Sequence, residues 1–206
     1  MYFMQKGLPF IYQGQELGMA NCDFPSIEDI DDVSSRDEYR RCLEVGYSEE
    51  KALEVVRHYS RDNGRTPFQW NTQRNAGFTT GRPWLMVNPQ YKDINAEAEI
   101  GHEGSIYEFY KQMIALRTDD RYMDTILYGR TEPVLENEKD IMAYLRRGEG
   151  QDLLVVGNFR EKNAEVVMDE LKGKQGHILL NNGETCVLQD GKIKLEPLQG
   201  VVFEIK

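Results

Sequence analysis

The chain has 206 residues, 40% hydrophobic and 29% charged, enough for one large or two small domains with hydrophobic cores. No apolar run approaches the roughly 20 residues of a membrane-spanning helix, and Met1–Lys6 lacks a signal peptide's basic start and apolar stretch, so cytoplasm is the expected location. A formal net charge of −10 argues against nucleic acid and anionic membrane as partners.

Phe10-Ile11-Tyr12, an apolar run between Pro9 and Gly14, predicts a short buried strand. Residues 21–50 then hold ten acids against three arginines, a local charge of −7. The acids around Asp29–Asp32 lack the Gly-centred spacing of an EF-hand loop, so a solvated polar face is expected there and no metal site. Ser48-Glu49-Glu50 opens a helix with an N-cap serine and two acids set against the dipole. Ala52, Leu53, Val56 and Tyr59 share one face of that helix. Ser105–Glu108 has the pattern of a capping box, and the helix it starts carries Ile106, Phe109, Tyr110, Met113, Ile114 and Leu116 as a broad apolar stripe.

After Asp119 the pattern changes to short β runs at Thr125–Tyr128, Ile141–Arg146, Leu153–Asn158, Glu165–Met168, His177–Leu180, Lys192–Leu195 and Val201–Ile205. Asn182-Gly183 and Asp190-Gly191 are both hairpin signals, because the two central residues of a type I′ turn need positive φ. Strands and turns at this spacing predict a small antiparallel sandwich. Cys22, Cys42 and Cys186, with three scattered histidines, match neither a disulfide framework nor a metal-ligand spacing.

Four segments carry a resemblance. Gly7-Leu-Pro-Phe-Ile-Tyr-Gln-Gly-Gln-Glu-Leu-Gly18 resembles the eighth barrel strand and following loop of family 13 glycoside hydrolases. Ser60-Arg-Asp-Asn-Gly-Arg-Thr-Pro-Phe-Gln-Trp70 and Ala76-Gly-Phe-Thr-Thr-Gly81 are similar to the oligo-1,6-glucosidase and dextran-glucosidase branch, and Trp84–Asn95 continues the match. Ser105–Arg117 resembles the last barrel helix, and the β half resembles that family's C-terminal domain through Leu195–Phe203. Gln15 stands where glutamate is common in the family, Gly64 where alanine is, and Phe68 where methionine is.

The resemblance implies an α+β chain. Residues 1–118 are expected to be the last β/α units of a (β/α)8 barrel with helical and loop insertions, and 119–206 an antiparallel β-sandwich. It implies an α-glucosidase acting on short α-glucans such as isomalto-oligosaccharides, with α-1,6 bonds expected, by a retaining mechanism and without a cofactor. Trehalose-6-phosphate hydrolase and sucrose isomerase are close relatives in the same family. The nucleophilic aspartate, acid/base glutamate and third aspartate follow strands four, five and seven there. This sequence has neither a Gly-x-Arg-x-Asp stretch nor a His-Asp pair, so no catalytic residue is expected in it and the chain alone is expected to be inactive.

The resemblance also implies that Arg61, first of the Arg-Asp-Asn motif, binds glucose hydroxyls, which suits a guanidinium fork. Residue chemistry alone leaves open that Arg61 caps helix carbonyls or pairs with Asp62. Glu16 is expected to support its loop through hydrogen bonds. Arg65, Trp70 and Trp84 are expected to fix the long loop, with packed indoles and satisfied N–H groups. Tyr12 faces either pocket or core. An unpaired strand edge at Phe10–Tyr12, with Phe109, Met113 and Leu116 uncovered, predicts a homodimer. The rival expectation is a non-catalytic sugar-binding or assembly module.

Overall fold

In the computed structural model, which describes Met1–Lys206, the acidic stretch folds as helix α1 (Val33–Glu44), followed by α2 (Glu49–Tyr59). Ser48 caps α2 as expected, its Oγ accepting the Lys51 amide at 3.2 Å. Gly46, at φ +91°, ends α1 because a residue there must turn left-handed. The buried faces meet around Cys22, Phe24, Ile30 and Val56, with Leu53, Tyr39 and Met86 packed against them. A short helix α3 (Ala96–Glu99) follows the long loop and is capped by Asn95 Oδ1, which accepts the Ala98 amide at 2.9 Å. These elements belong to one of two compact units, Ile11–Glu108.

The other unit joins Met1–Phe10 to Phe109–Lys206. Helix α4 (Ile106–Thr118) starts where Ser105 Oγ accepts the Glu108 amide at 3.2 Å, while Glu108 Oε1 takes the amide of Gly101 at 2.8 Å. Helix α5 (Met123–Tyr128) occupies the segment expected as a first strand. Its amides close locally, Ile126 onto the Tyr122 carbonyl at 2.9 Å, and Ile126 is fully buried. Burial overrides the β propensity of Thr125 and Ile126.

Eight strands follow: β1 (Arg130–Val134), β2 (Ile141–Arg147), β3 (Asp152–Asn158), β4 (Ala164–Val167), β5 (Gly176–Asn181), β6 (Leu188–Gln189), β7 (Lys192–Leu195) and β8 (Gly200–Ile205). They form antiparallel sheets in the orders β1-β2-β3-β8-β5 and β4-β7-β6. Leu154, Val156, Val201 and Phe203 of the larger sheet share one core with Val166, Leu188, Ile193 and Leu195 of the smaller, so the sandwich expected from the turn spacing is present. β1 carries Pro133 and lies at an edge, where a missing N–H costs no ladder bond.

The two hairpin signals part company. Asp190 and Gly191 take φ of +52° and +73° and join β6 to β7. Asn182-Gly183 does not make a type I′ turn, because β5 pairs with β8 rather than with the next strand. The Asn182 side chain instead spans to β8, donating to the Leu198 carbonyl at 3.1 Å and accepting the Gly200 amide at 2.6 Å.

β3 is buried on both faces, and its second face explains the unit's composition. Leu153 and Val155 pack with Phe3, Met4, Leu116, Tyr122, Ile126 and Tyr144, with Met113 and Tyr110 against them. The contact division therefore falls elsewhere than the boundary after Thr118. Leu116 is buried and Met113 partly buried within the unit, while Phe109 and Met113 line a cavity of about 320 Å³, so the helix face expected to be bare is covered only in part. Arg117, itself buried, donates to the carbonyls of Phe3, Gln5 and Gly7 and ties the first residues to α4. Arg146, fully buried on β2, is held by Thr131 Oγ1 and the Ile126 carbonyl; burial lowers its pKa.

Phe10-Ile11-Tyr12 forms no strand. A strand needs a ladder partner, and no segment of the chain pairs with this one. Phe10 is 79% exposed and Tyr12 57%. All three cysteines are free and buried, and burial pushes the Cys22 and Cys186 thiols up to about 11. No helix is long and apolar enough to cross a membrane.

Candidate functional site

The three residues of the Arg-Asp-Asn motif do three different jobs in the unit Ile11–Glu108. Ser60 ends α2, and its Oγ caps the next 3-10 turn by accepting the Asp62 amide at 3.3 Å. Asp62 is fully buried; its Oδ2 accepts the amides of Asp31 at 2.7 Å and Asp32 at 2.8 Å. Its other oxygen takes Arg65 Nη1 at 3.1 Å. Asn63 donates to the Arg57 carbonyl at the end of α2 (2.8 Å) and accepts the Cys22 amide (2.9 Å). The motif thus ties α2, the 21–32 segment and the start of α1 together.

Arg61 is left facing outward. Its Nε and Nη2 donate to Asp32 Oδ1, the first at 2.9 Å, and Nη2 also reaches Ser34 Oγ at 3.1 Å. Its partner is Asp32 rather than Asp62 or a helix carbonyl. Asp32 is 3% exposed while the Arg61 side chain is 59% exposed. The Arg61 hydrogen bond, helped by Ser35 Oγ at 2.9 Å, holds the Asp32 carboxyl at about 2, against its own burial. A guanidinium so anchored along one edge keeps its remaining N–H groups for hydroxyl oxygens.

Asp32 corrects the expectation of a merely solvated acidic face. The cluster Asp29–Asp32 contains one buried carboxylate that is paired, because burying it alone would be costly. Asp31 stays half-exposed; its Oδ2 accepts the Trp84 indole N–H at 2.8 Å and its Oδ1 lies 3.5 Å from Arg36 Nη2.

Arg61, Arg65 and Trp84 are therefore gathered by Asp32, Asp62 and Asp31. Trp70 and Glu16 are placed outside that network. Trp70 is 52% exposed, its ring 4.6 Å from Phe68. Trp84 is 68% exposed, so neither indole is packed in as expected. Glu16 sits in a 3-10 turn (Gln15–Leu17), with its Oε2 buried and without a hydrogen-bond partner. The loop's hydrogen bond comes from Gln15, whose Oε1 accepts the Tyr12 amide at 3.0 Å.

What holds the long loop is mostly amide chemistry that sequence reasoning missed. Gln69 is fully buried and donates to the Ile94 carbonyl. Asn75, Ala76 and Gly77 take φ of +55°, +56° and +69°, and Asn75 Nδ2 locks this left-handed run onto the carbonyls of Thr79 (2.9 Å) and Gly81 (2.8 Å). The signal lay in the density of Asn and Gln between Asn63 and Asn95. Tyr12 faces the polar side, its OH on the Gly64 carbonyl at 2.9 Å. A small cleft of about 150 Å³ lies there, lined by Tyr12, Gln13, Met19, Asn21, Asn63 and Thr66 among others. That is below the roughly 300 Å³ of an ordinary small-molecule site.

The sequence pattern described as "Alpha amylase, catalytic domain" matches residues 1–125, and that of "Alpha-amylase SusG C-terminal domain" matches residues 141–202. The oligo-1,6-glucosidase of Parageobacillus thermoglucosidasius is 38% identical, covering 98% of this chain and 36% of that protein. The trehalose-6-phosphate hydrolase of Bacillus subtilis is 35% identical over the same shares. The crystal structure of trehalose-6-phosphate hydrolase from Bacillus licheniformis superposes with a TM-score of 0.91 at 38% identity, over 98% of this chain and 37% of that one. Isomaltulose synthase from Klebsiella sp. LX3 gives 0.87 at 33% identity, over 99% and 36%. The chain spans a little over a third of the length of these relatives.

Proposed function

Because the chain belongs to the α-amylase family, family 13 of the glycoside hydrolases, we propose that it is the C-terminal part of an α-glucosidase hydrolysing short α-glucans, with α-1,6 bonds as the preferred linkage. The observation that carries this reading is Arg61, fixed on the buried Asp32 with the rest of its side chain turned to solvent. A fork held this way suits vicinal hydroxyls of a non-reducing glucosyl unit. Residues 1–118 are the end of the catalytic domain in this reading and 119–206 the C-terminal β domain.

Chemistry is retaining, through two carboxylates roughly 5–5.5 Å apart, and neither carboxylate belongs to this chain. Asp62 and Asp32 are committed to amides and to arginines, and Glu16 Oε2 is buried without a hydrogen bond. The enzyme is cytoplasmic and uses no cofactor. The chain pairs with a second copy through its exposed Leu8, Phe10 and Tyr12.

NMR titration with methyl α-glucoside tests the reading. The Arg61 Nε–H signal should shift in the wild type, with no site response in Arg61→Ala. Identical titrations of the two proteins would remove the sugar-binding role. Release of nitrophenol from an aryl α-glucoside by the purified chain, absent from a mock purification, would remove the assignment of the catalytic carboxylates to other residues.

A further inference from the structure

We propose that the dimer is closed by exchange: Leu8-Pro9-Phe10 of each copy seats in an apolar cavity of the other. The proposal rests on the pairing of two copies through Leu8 and Phe10 and adds the surface that receives those side chains.

The segment is a knob held open at both ends. Arg117 Nη2 donates to the Gly7 carbonyl, and Tyr2 Oη donates to the Phe10 carbonyl at 3.2 Å. Between these ties Pro9 fixes its own φ and confines Leu8 to extended backbone. Little ordering is left for association to supply. Leu8 and Phe10 nevertheless stand 78% and 79% exposed, so a constrained segment keeps two large apolar side chains in water.

The hole belongs to the same unit. Phe3, Met4, Phe109, Met113, Val155 and Val202 line a cavity of about 320 Å³ between the first residues, α4 and the larger sheet. An apolar cavity of about 150 Å³ already accepts a benzene ring, so there is room for the Phe10 phenyl and part of Leu8. The methionines can adapt to the shape that enters. Polar side chains in the wall are spent within the chain. Asn158 donates to the Lys162 and Glu196 carbonyls, Asn182 bridges Leu198 and Gly200, and Gln199 bridges Asn181 and Glu196. An occupant therefore gains by burying apolar surface, and a sugar's hydroxyls would lose their water there without replacement.

The mouth distinguishes a small molecule from a protein side chain. Phe159 and Leu198 line the cavity yet are 58% and 60% exposed, so they stand at its rim. A free apolar molecule inside would leave both in water, whereas a chain segment carrying a knob covers them. One knob in one hole falls short of the roughly 1,200 Å² of a specific interface, since an aromatic side chain supplies only about 150–250 Å². Two-fold symmetry doubles the contact, because each copy then gives a knob and receives one.

Sedimentation of the full chain and methyl NMR of its methionines, both over a micromolar concentration series, test this. Dimerisation should move the Met4 and Met113 methyl signals. Phe10→Asp spoils the knob and Leu198→Asp the rim, and aspartate tolerates the φ of +55° at position 198. Each variant alone should dissociate at least about a hundredfold more readily. Mixed together they should associate, since one intact knob then meets one intact hole. A dimer that survives Leu198→Asp, with Met4 and Met113 silent, overturns the proposal and leaves the pairing through Leu8 and Phe10 standing. A wild-type chain that stays monomeric removes that pairing and the proposal with it. Growth beyond a dimer overturns the two-fold exchange, because contacts that do not close propagate. Benzene that shifts Met113 in a chain remaining dimeric makes the cavity a small-molecule site and overturns the exchange. The wild-type concentration series decides even where a variant fails to fold.

Discussion

Asp62 holds Asp32 by its backbone, Oδ2 to amide at 2.8 Å, while the Asp32 carboxylate holds Arg61, the neighbour of Asp62 in sequence. The arrangement closes on itself: the acid of the motif positions the acid that positions the arginine. Asp62→Ala leaves the buried Asp31 and Asp32 amides without their acceptor and frees Arg65. It should cost about 2–4 kcal/mol, read as a lowered midpoint for the unit Ile11–Glu108. Arg65→Ala removes a partner that is partly exposed and should cost less than about 1 kcal/mol.

The Asp32 carboxyl sits at about 2, below its ordinary 3.8, chiefly because of the Arg61 hydrogen bond. A depressed acid stabilises the fold above its unfolded pKa and loses that contribution as pH falls through the folded one. The window here is between about pH 4 and pH 2, and the contribution, discounted for the solvent around Arg61, is about 2 kcal/mol. Thermal melts of the wild type and Asp32→Asn should differ at neutral pH and converge towards pH 2. A gap that persists at the acid end contradicts the assignment.

Gly191 and Gly173 both have positive φ, +73° and +75°, yet they should respond differently to alanine. A Cβ at Gly191 meets the Met168 carbonyl oxygen at 2.3 Å, while one at Gly173 meets nothing within 4 Å. Gly173→Ala carries only left-handed strain, about 1 kcal/mol. Gly191→Ala must also move backbone and should cost more than about 3 kcal/mol. Equal losses of stability would mean that the β6–β7 turn yields more than its contacts suggest.

Leu8 is 78% exposed and Phe10 79%, a large apolar burden for a short segment. Light scattering at micromolar concentration should show a homodimer, and Leu8→Asp with Phe10→Asp should return it to a monomer. A clean monomer of the unaltered chain removes the dimer.

Residues close in sequence announced themselves. Ser48 as an N-cap, Asp190-Gly191 as a turn and the alternation in β7 each depend on local φ, ψ and side-chain reach, so they were legible without a fold. The family was legible too, because Arg61–Trp70 is dense in residues with fixed tasks. Tertiary structure decided the rest. Thr125–Tyr128 became a helix once Ile126 was buried, and Phe10–Tyr12 remained unpaired because a strand exists only with its partner. Asn182-Gly183 lost its hairpin because β5 joins β8, a pairing set by the sandwich. Above all, Asp32 lies among six nearby acids with nothing local to mark it. Only the return of α2, which brings Asp62 beneath the Asp31 and Asp32 amides, buries that one carboxylate and turns Arg61 outward.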